Sequence, residues 1–185
     1  MPEYRRAKEP GATYFFTVVT FERQKFLCEP ESRNILRSAI KKVKGTYPFL
    51  IEAWVLLPEH LHCIWTLPEG DSDYSTRWAV IKKEFTKRIT RIKTNALGDI
   101  EITNSRKRRR ESRIWQRRFW EHMIRDQDDF NQHIDYIHYN PVKHLLVKEP
   151  RQWPFSTFHG FVKSGLYPED WGTHISDTVK GMDME

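Results

Sequence analysis

The chain is short of cysteine. Cys28 and Cys63 are the only two in 185 residues, which excludes a disulfide framework and makes a reducing compartment the expectation. It has no apolar run of membrane-spanning length. Its opening residues, Met1-Pro2-Glu3-Tyr4-Arg5-Arg6, contain no apolar signal region. A cytoplasmic protein with no membrane partner is therefore expected. No internal repeat is visible, so the chain is not read as a stack of short units. Acidic residues are outnumbered, 25 against 31 Lys and Arg, for a net charge of +6. That balance favours a polyanionic partner, nucleic acid before an anionic membrane surface.

Apolar and aromatic residues are not short. Hydrophobic content is 38%, with 7 Trp, 7 Tyr and 11 Phe, enough for a globular core in a chain of single-domain size. The apolar period alternates between two and helical values. Thr13 to Phe21 is β-branched and aromatic and predicts a strand buried on both faces. Ser32 to Lys44 carries Ile35, Leu36, Ala39, Ile40 and Val43 on one stripe and predicts a helix ending near Gly45. Phe49 to Leu57 and Leu61 to Leu67 predict a hairpin, and Ser75 to Ile92 a second helix. Residues 94–112 read as a polar loop holding Arg106-Lys107-Arg108-Arg109-Arg110. Such a charge run is by default a solvated surface loop, and a phosphate-neutralising one if nucleic acid is bound. Arg113 to Ile124 is the candidate last strand and Asp126 to Asn140 a third helix. The order strand, helix, strand, strand, helix, strand predicts an α+β fold with a ferredoxin-like (RRM-like) antiparallel sheet. Beyond Pro150 the aromatics Trp153, Phe155, Phe158, Phe161, Tyr167 and Trp171 are expected mostly to close the core. The domain is taken as 1–171, with 172–185 as a tail.

The chemistry is concentrated in Leu57-Pro58-Glu59-His60-Leu61-His62-Cys63-Ile64-Trp65. In a strand, alternate side chains share a face. His60, His62 and Ile64 therefore point one way, and Leu61, Cys63, Trp65 and Leu67 point the other way, into a core. Two imidazoles at that spacing can share one metal ion, although an H-x-H pair taken alone is a weak signal. The third predicted helix carries a second pattern. Phe130, Ile134, Ile137 and Pro141 form an apolar stripe. Asp129, His133, Tyr136 and Asn140 form a polar stripe one residue, about 100°, round the helix. Tyr136 and Asn140 are neighbours at i and i+4, and Asn140 precedes a proline, where helices tend to break. Tyrosine is a credible covalent nucleophile toward a phosphodiester, and a divalent ion on nitrogen and oxygen ligands would polarise the phosphate. His60, His62 and Asn140 as ligands with Tyr136 as nucleophile fit that scheme. Tyr139 competes as nucleophile but lies off the stripe. A lone helical tyrosine is more often a packing residue, and His133 and His138 read as surface residues of the helix, with His133 an alternative assistant to the site.

Pro58-Glu59-His60-Leu61-His62 resembles the HUH motif, two histidines flanking a hydrophobic residue. Trp115 to His122 (WQRRFWEH), Asp135 to His144 (DYIHYNPVKH) and Trp153 to His159 (WPFSTFH) resemble the REP-associated tyrosine transposases, which are single-tyrosine HUH enzymes. The resemblance runs from Tyr4 to about Trp171. It implies a metal site on the open face of the sheet, Mg²⁺ or Mn²⁺ as cofactor, and cleavage of single-stranded DNA at repetitive extragenic palindromes through a 5′-phosphotyrosine. His60 and His62 match the metal histidines, Tyr136 the nucleophile, and Asn140 the amide ligand. Tyr4, Arg5 and Arg6 match an N-terminal arm that reads a tetranucleotide at the foot of the hairpin. Arg108, Arg109, Arg110, Arg117, Arg118 and Lys143 are the further DNA-binding candidates. The resemblance also implies a monomer in the nucleoid-associated cytoplasm. Two departures stand out: the 94–112 loop is long, and Leu145 stands where glycine is common. Two rival readings remain open: a domesticated hairpin-binding regulator that does not cut, and an RNA endonuclease on a similar sheet.

Overall fold

The computed structural model describes residues 7–92 and 113–173. The elements are β1 (Thr13–Val19), α1 (Pro30–Thr46), β2 (Leu50–Leu56), β3 (His60–Thr66), α2 (Tyr74–Ile92), β4 (Trp120–Met123), α3 (Gln127–Lys143) and α4 (Phe158–Lys163). The strands form one sheet in the order β2-β3-β1-β4, and each neighbouring pair is antiparallel. This is the predicted ferredoxin-like arrangement.

The sheet separates two apolar layers, which explains why β1 does not alternate cleanly. On one face Tyr14, Phe16 and Val18 of β1 and Leu61, Cys63 and Trp65 of β3 pack beneath α1 and α2. Trp65 stacks on Trp78 of α2, with ring centroids 4.2 Å apart and planes at 15°. On the other face Phe15, Ala53, Val55, Leu57 and Ile64 meet Ile134, Tyr136 and Ile137 of α3. Cys63 is buried in the first layer and Cys28 is half-buried, both as free thiols. Among the described residues no helix is long and apolar enough to cross a membrane.

The aromatic segment closes the outer edge of the sheet. Leu56 N–H donates to Phe155 O (2.8 Å), Thr157 N–H donates to Trp54 O (2.9 Å), and the Trp153 indole N–H donates to Leu56 O (3.0 Å). An exposed edge strand is a template for aggregation, and this pairing covers β2. Phe158 is buried, and Trp153, Phe161 and Tyr167 pack on the second layer. The aromatics therefore serve the core, as expected.

As expected, α1 ends near Gly45, with Thr46 its last residue. Two local expectations are corrected. The last strand covers Trp120–Met123 rather than Arg113 to Ile124, because Trp115 instead bridges Thr20 and Gln116 N–H donates to Val19 O at 2.9 Å. Finally, α3 does not break at Asn140. Pro141 lies inside the helix, where it lacks the N–H that Ile137 C=O would accept. Its ring is buried, and the helix continues for two further residues.

The end of α3 explains the departure at Leu145. Leu146 N–H donates to Pro141 O (3.0 Å) and Leu145 N–H to Val142 O (2.9 Å), the paired closing bonds of a helix that terminates through a left-handed residue. Leu145 is that residue, at φ +56°, and it is 91% exposed. A β-carbon in this region costs about 1–2 kcal/mol, and no burial offsets it here. Leu145→Gly is expected to raise stability by about 1 kcal/mol, read as a higher urea midpoint at unchanged slope.

Candidate active site

The hairpin between β2 and β3 sets the two histidines. Leu57 N–H bonds to His60 O (2.8 Å), so β3 starts at His60 itself and the period-two rule places His60 and His62 together on the α3 side. Both are fully buried. Their rings meet edge-on at 4.8 Å. Across β1, Thr17 pairs with His62, and Thr17 Oγ1 lies 2.9 Å from His62 Nδ1. His60 Nδ1 lies 3.3 Å from Glu59 Oε1. The hydrogen bond with His60 holds the Glu59 carboxyl below its ordinary range, against the opposing effect of burial. Each imidazole thus has an oxygen beside Nδ1, the arrangement that fixes a ring so that Nε2 can act as ligand.

The polar stripe of α3 supplies the other half. Asp129, His133, Tyr136 and Asn140 are all buried, so this stripe, beside the apolar one, faces the sheet. The Tyr136 ring meets His62 edge-on at 5.2 Å and Phe15 at 6.0 Å. Asn140 is fully buried, and neither its side-chain oxygen nor its nitrogen has a hydrogen-bond partner among the described residues. Leaving a buried amide unsatisfied costs about 1–3 kcal/mol, so such a group calls for an ion or water. A carboxamide oxygen and two pre-oriented imidazoles form a donor set suited to a small divalent cation. The residues present therefore fit the expected ion.

Two partners were not visible in the sequence. Lys143 Nζ donates to the Tyr136 hydroxyl at 3.4 Å and sits 4.9 Å above its ring. The expected DNA-binding Lys143 is thereby placed against Tyr136, two helical turns on. The His144 ring lies 4.9 Å from His60, a third imidazole brought in by the tight end of α3. Arg117 and Arg118 are exposed in the segment entering β4. Tyr4, Arg5, Arg6, Arg108, Arg109 and Arg110 lie outside the described residues, as does the 94–112 loop.

His133 and His138 are not surface residues; both are buried. His133 belongs to a network centred on Asp129. That carboxylate lies 2.8 Å from His122 Nε2 and 3.1 Å from His133 Nδ1. It also accepts from Arg125 through the backbone N–H (3.0 Å) and the guanidinium Nε (3.1 Å). Burial alone would raise the Asp129 pKa, but the His122 and Arg125 bonds overcome it and hold the carboxyl far below its usual range. His122, Asp129 and His133 bring ligand atoms within 4.8 Å of one another. The Arg125 cation already neutralises the carboxylate, and a second cation there would meet its repulsion. The cluster clamps β4 to the first turns of α3. Asp129→Asn is expected to destabilise by about 1.5–3 kcal/mol, the range for hydrogen bonds to a charged group, measured by urea unfolding at pH 7.

No family model matches the sequence. Individual relatives do. A REP-associated tyrosine transposase from Escherichia coli is 50% identical over 181 residues, 98% of this chain and 97% of that protein. A relative from Haemophilus influenzae is 43% identical over 181 residues, 98% and 99% of the two chains. A solved structure of a REP-associated tyrosine transposase bound to a REP hairpin is 47% identical, with a TM-score of 0.77, and covers all of this chain and 99% of that one. The class common to these matches, on this α+β sheet, is the tyrosine transposase, a DNA-processing enzyme. With half its residues identical over nearly its full length, the chain belongs to the REP-associated tyrosine transposases, the family its motifs resemble.

Proposed function

We propose that this chain is a divalent-metal-dependent single-stranded DNA endonuclease and strand transferase that recognises REP-type hairpins and cleaves beside them through a 5′-phosphotyrosine. The observation carrying this reading is the meeting of Tyr136 with the His60–His62 pair across the sheet–helix gap, one turn from the unsatisfied amide of Asn140. His60, His62 and Asn140 would hold Mg²⁺ or Mn²⁺, which supplies Lewis-acid polarisation of a non-bridging phosphate oxygen. The Tyr136 oxygen attacks phosphorus. The bond from phosphorus to the 3′ oxygen breaks, that oxygen leaves and takes up a proton as a 3′ hydroxyl, and the 5′ phosphate remains on Tyr136. The Lys143 ammonium, 3.4 Å from the phenol oxygen, stabilises the negative charge the oxygen carries as it gives up its proton. The phosphotyrosine ester preserves the bond's energy, so a 3′ hydroxyl can rejoin the strand by reversing the step. Arg117 and Arg118 would neutralise DNA phosphates. The flanking tetranucleotide would be read by the arm containing Tyr4, Arg5 and Arg6. The enzyme would act as a monomer on nucleoid DNA in the cytoplasm.

The test is a labelled hairpin oligonucleotide with single-stranded flanks, incubated with Mg²⁺ or Mn²⁺ and resolved under denaturing conditions. The expected result is a protein–DNA adduct that a chelator prevents. Binding without adduct in either metal would replace this reading with the non-cutting regulator. Cleavage of RNA alone would replace it with an RNA endonuclease.

A further inference from the structure

All seven tryptophans of the chain are among the described residues, and Trp120 alone is exposed. Its position is specific. Thr17 of β1 pairs with His62 on one side and with Trp120 on the other. The three side chains therefore form one row across the sheet, on the face that α3 covers. With strands about 4.8 Å apart, the Trp120 backbone lies ~10 Å from that of His62. Trp120 is at the edge of the face, where the helix no longer covers it.

The ring is held in a defined plane. Trp120 stacks on His122 with centroids 5.9 Å apart and planes at 6°. His122 stacks in turn on His133, 4.7 Å away at 11°. Phe15 braces the indole edge-on at 5.6 Å. The Asp129 carboxylate fixes both histidines. Exposure rises along the stack, from buried His133 through half-buried His122 to exposed Trp120. The column is thus rigid at its buried end and open at its tryptophan end. An indole left partly in water forgoes burial, and a flat π-surface held in place beside a phosphate-processing site suits one more flat ring.

We infer that Trp120 is a stacking platform for an unpaired nucleobase flanking the phosphate that Tyr136 attacks. This deepens the proposed function and rests on it. The ligand is an unstacked base of a single DNA strand, since paired bases keep their faces covered. Arg118 and Arg117, two and three residues earlier and exposed, would suit the strand's phosphates. Stacking on a tryptophan face does not read hydrogen-bonding edges, so the platform places the strand and does not select its sequence. The column also gives the Asp129 clamp a second consequence, because it sets the plane on which the base lies.

The test measures binding of the full chain carrying Tyr136→Phe, which retains the site but cannot form the adduct. The probes are the hairpin oligonucleotide and a series in which each unpaired flanking nucleotide in turn is abasic. Trp120→Ala is expected to weaken binding of the parent oligonucleotide about tenfold, within the range of one base–aromatic stack, and Trp120→Phe to keep most of it. One abasic position should weaken binding of the parent protein equally and cost nothing further in Trp120→Ala. Thermal unfolding checks that both variants fold. Unchanged binding in Trp120→Ala, or losses that add at every abasic position, would overturn the platform and leave the catalytic reading intact. Failure of the parent protein to bind any hairpin would overturn both.

Discussion

Tyr136→Phe is expected to abolish the covalent DNA adduct while hairpin binding stays within about twofold. The ring is a buried part of the second apolar layer, in edge contact with His62 and Phe15. Phenylalanine keeps those contacts. The substitution removes the oxygen that would attack phosphorus and its 3.4 Å contact with Lys143, a long hydrogen bond of about 1 kcal/mol or less. Loss of a covalent nucleophile lowers turnover by at least about 10⁴-fold, so the adduct should vanish from the gel in a protein that still melts normally. Tyr139→Phe is the control. Tyr139 is three residues, about 300°, round the helix from Tyr136, and removing its hydroxyl should leave the adduct. An adduct that persists in Tyr136→Phe and disappears in Tyr139→Phe would reassign the nucleophile.

Stability is expected to fall steeply with acid because of His138. Burial is the main cause that lowers its pKa from 6.5 to about 3, with a smaller contribution from His159. The ring is enclosed by Phe158, Phe161, Tyr167 and Trp171, and its Nε2 is 2.9 Å from Thr157 Oγ1. The folded state keeps His138 neutral where the unfolded chain protonates it, so the unfolded state binds more protons once pH drops below 6.5. The stabilisation is fully present above that value and is lost as pH falls toward 3, with a limiting slope of about 1.4 kcal/mol per pH unit. His133, lowered chiefly by burial, adds to the slope. His138→Gln should be less stable at pH 7 yet show a flatter decline between pH 6.5 and 4, read from urea midpoints. An equally steep decline in the variant would show that other groups set the acid limit.

The elements with strong periods were legible in the chain itself. The run Leu61, Cys63, Trp65 against His60, His62, Ile64 fixes which face is core, because a strand has only two faces. Tyr136 and Asn140 share a stripe because four residues make only slightly more than one helical turn. The break expected at Pro141 failed for a tertiary reason: its buried ring and the closing bonds of the next turn outweigh one missing hydrogen bond. His138 read as a surface residue because a polar side chain on a helix usually is one. The aromatic cage that buries it comes from residues 158–171, and no local pattern announces it.

Linear order alone determined the fold class, the two-faced sheet and the stripe carrying the tyrosine, since periods of two and 3.6 are properties of the backbone. Folding decided everything that depends on two distant segments meeting. The contact of Thr17 with His62 is of this kind, as is the brace of Phe15 against Trp120. So is the facing of Tyr136 toward an imidazole 74 positions earlier in the chain. Side-chain contacts of this kind depend on how helices and strands dock, and docking is settled by the packing of the whole core rather than by any window of sequence.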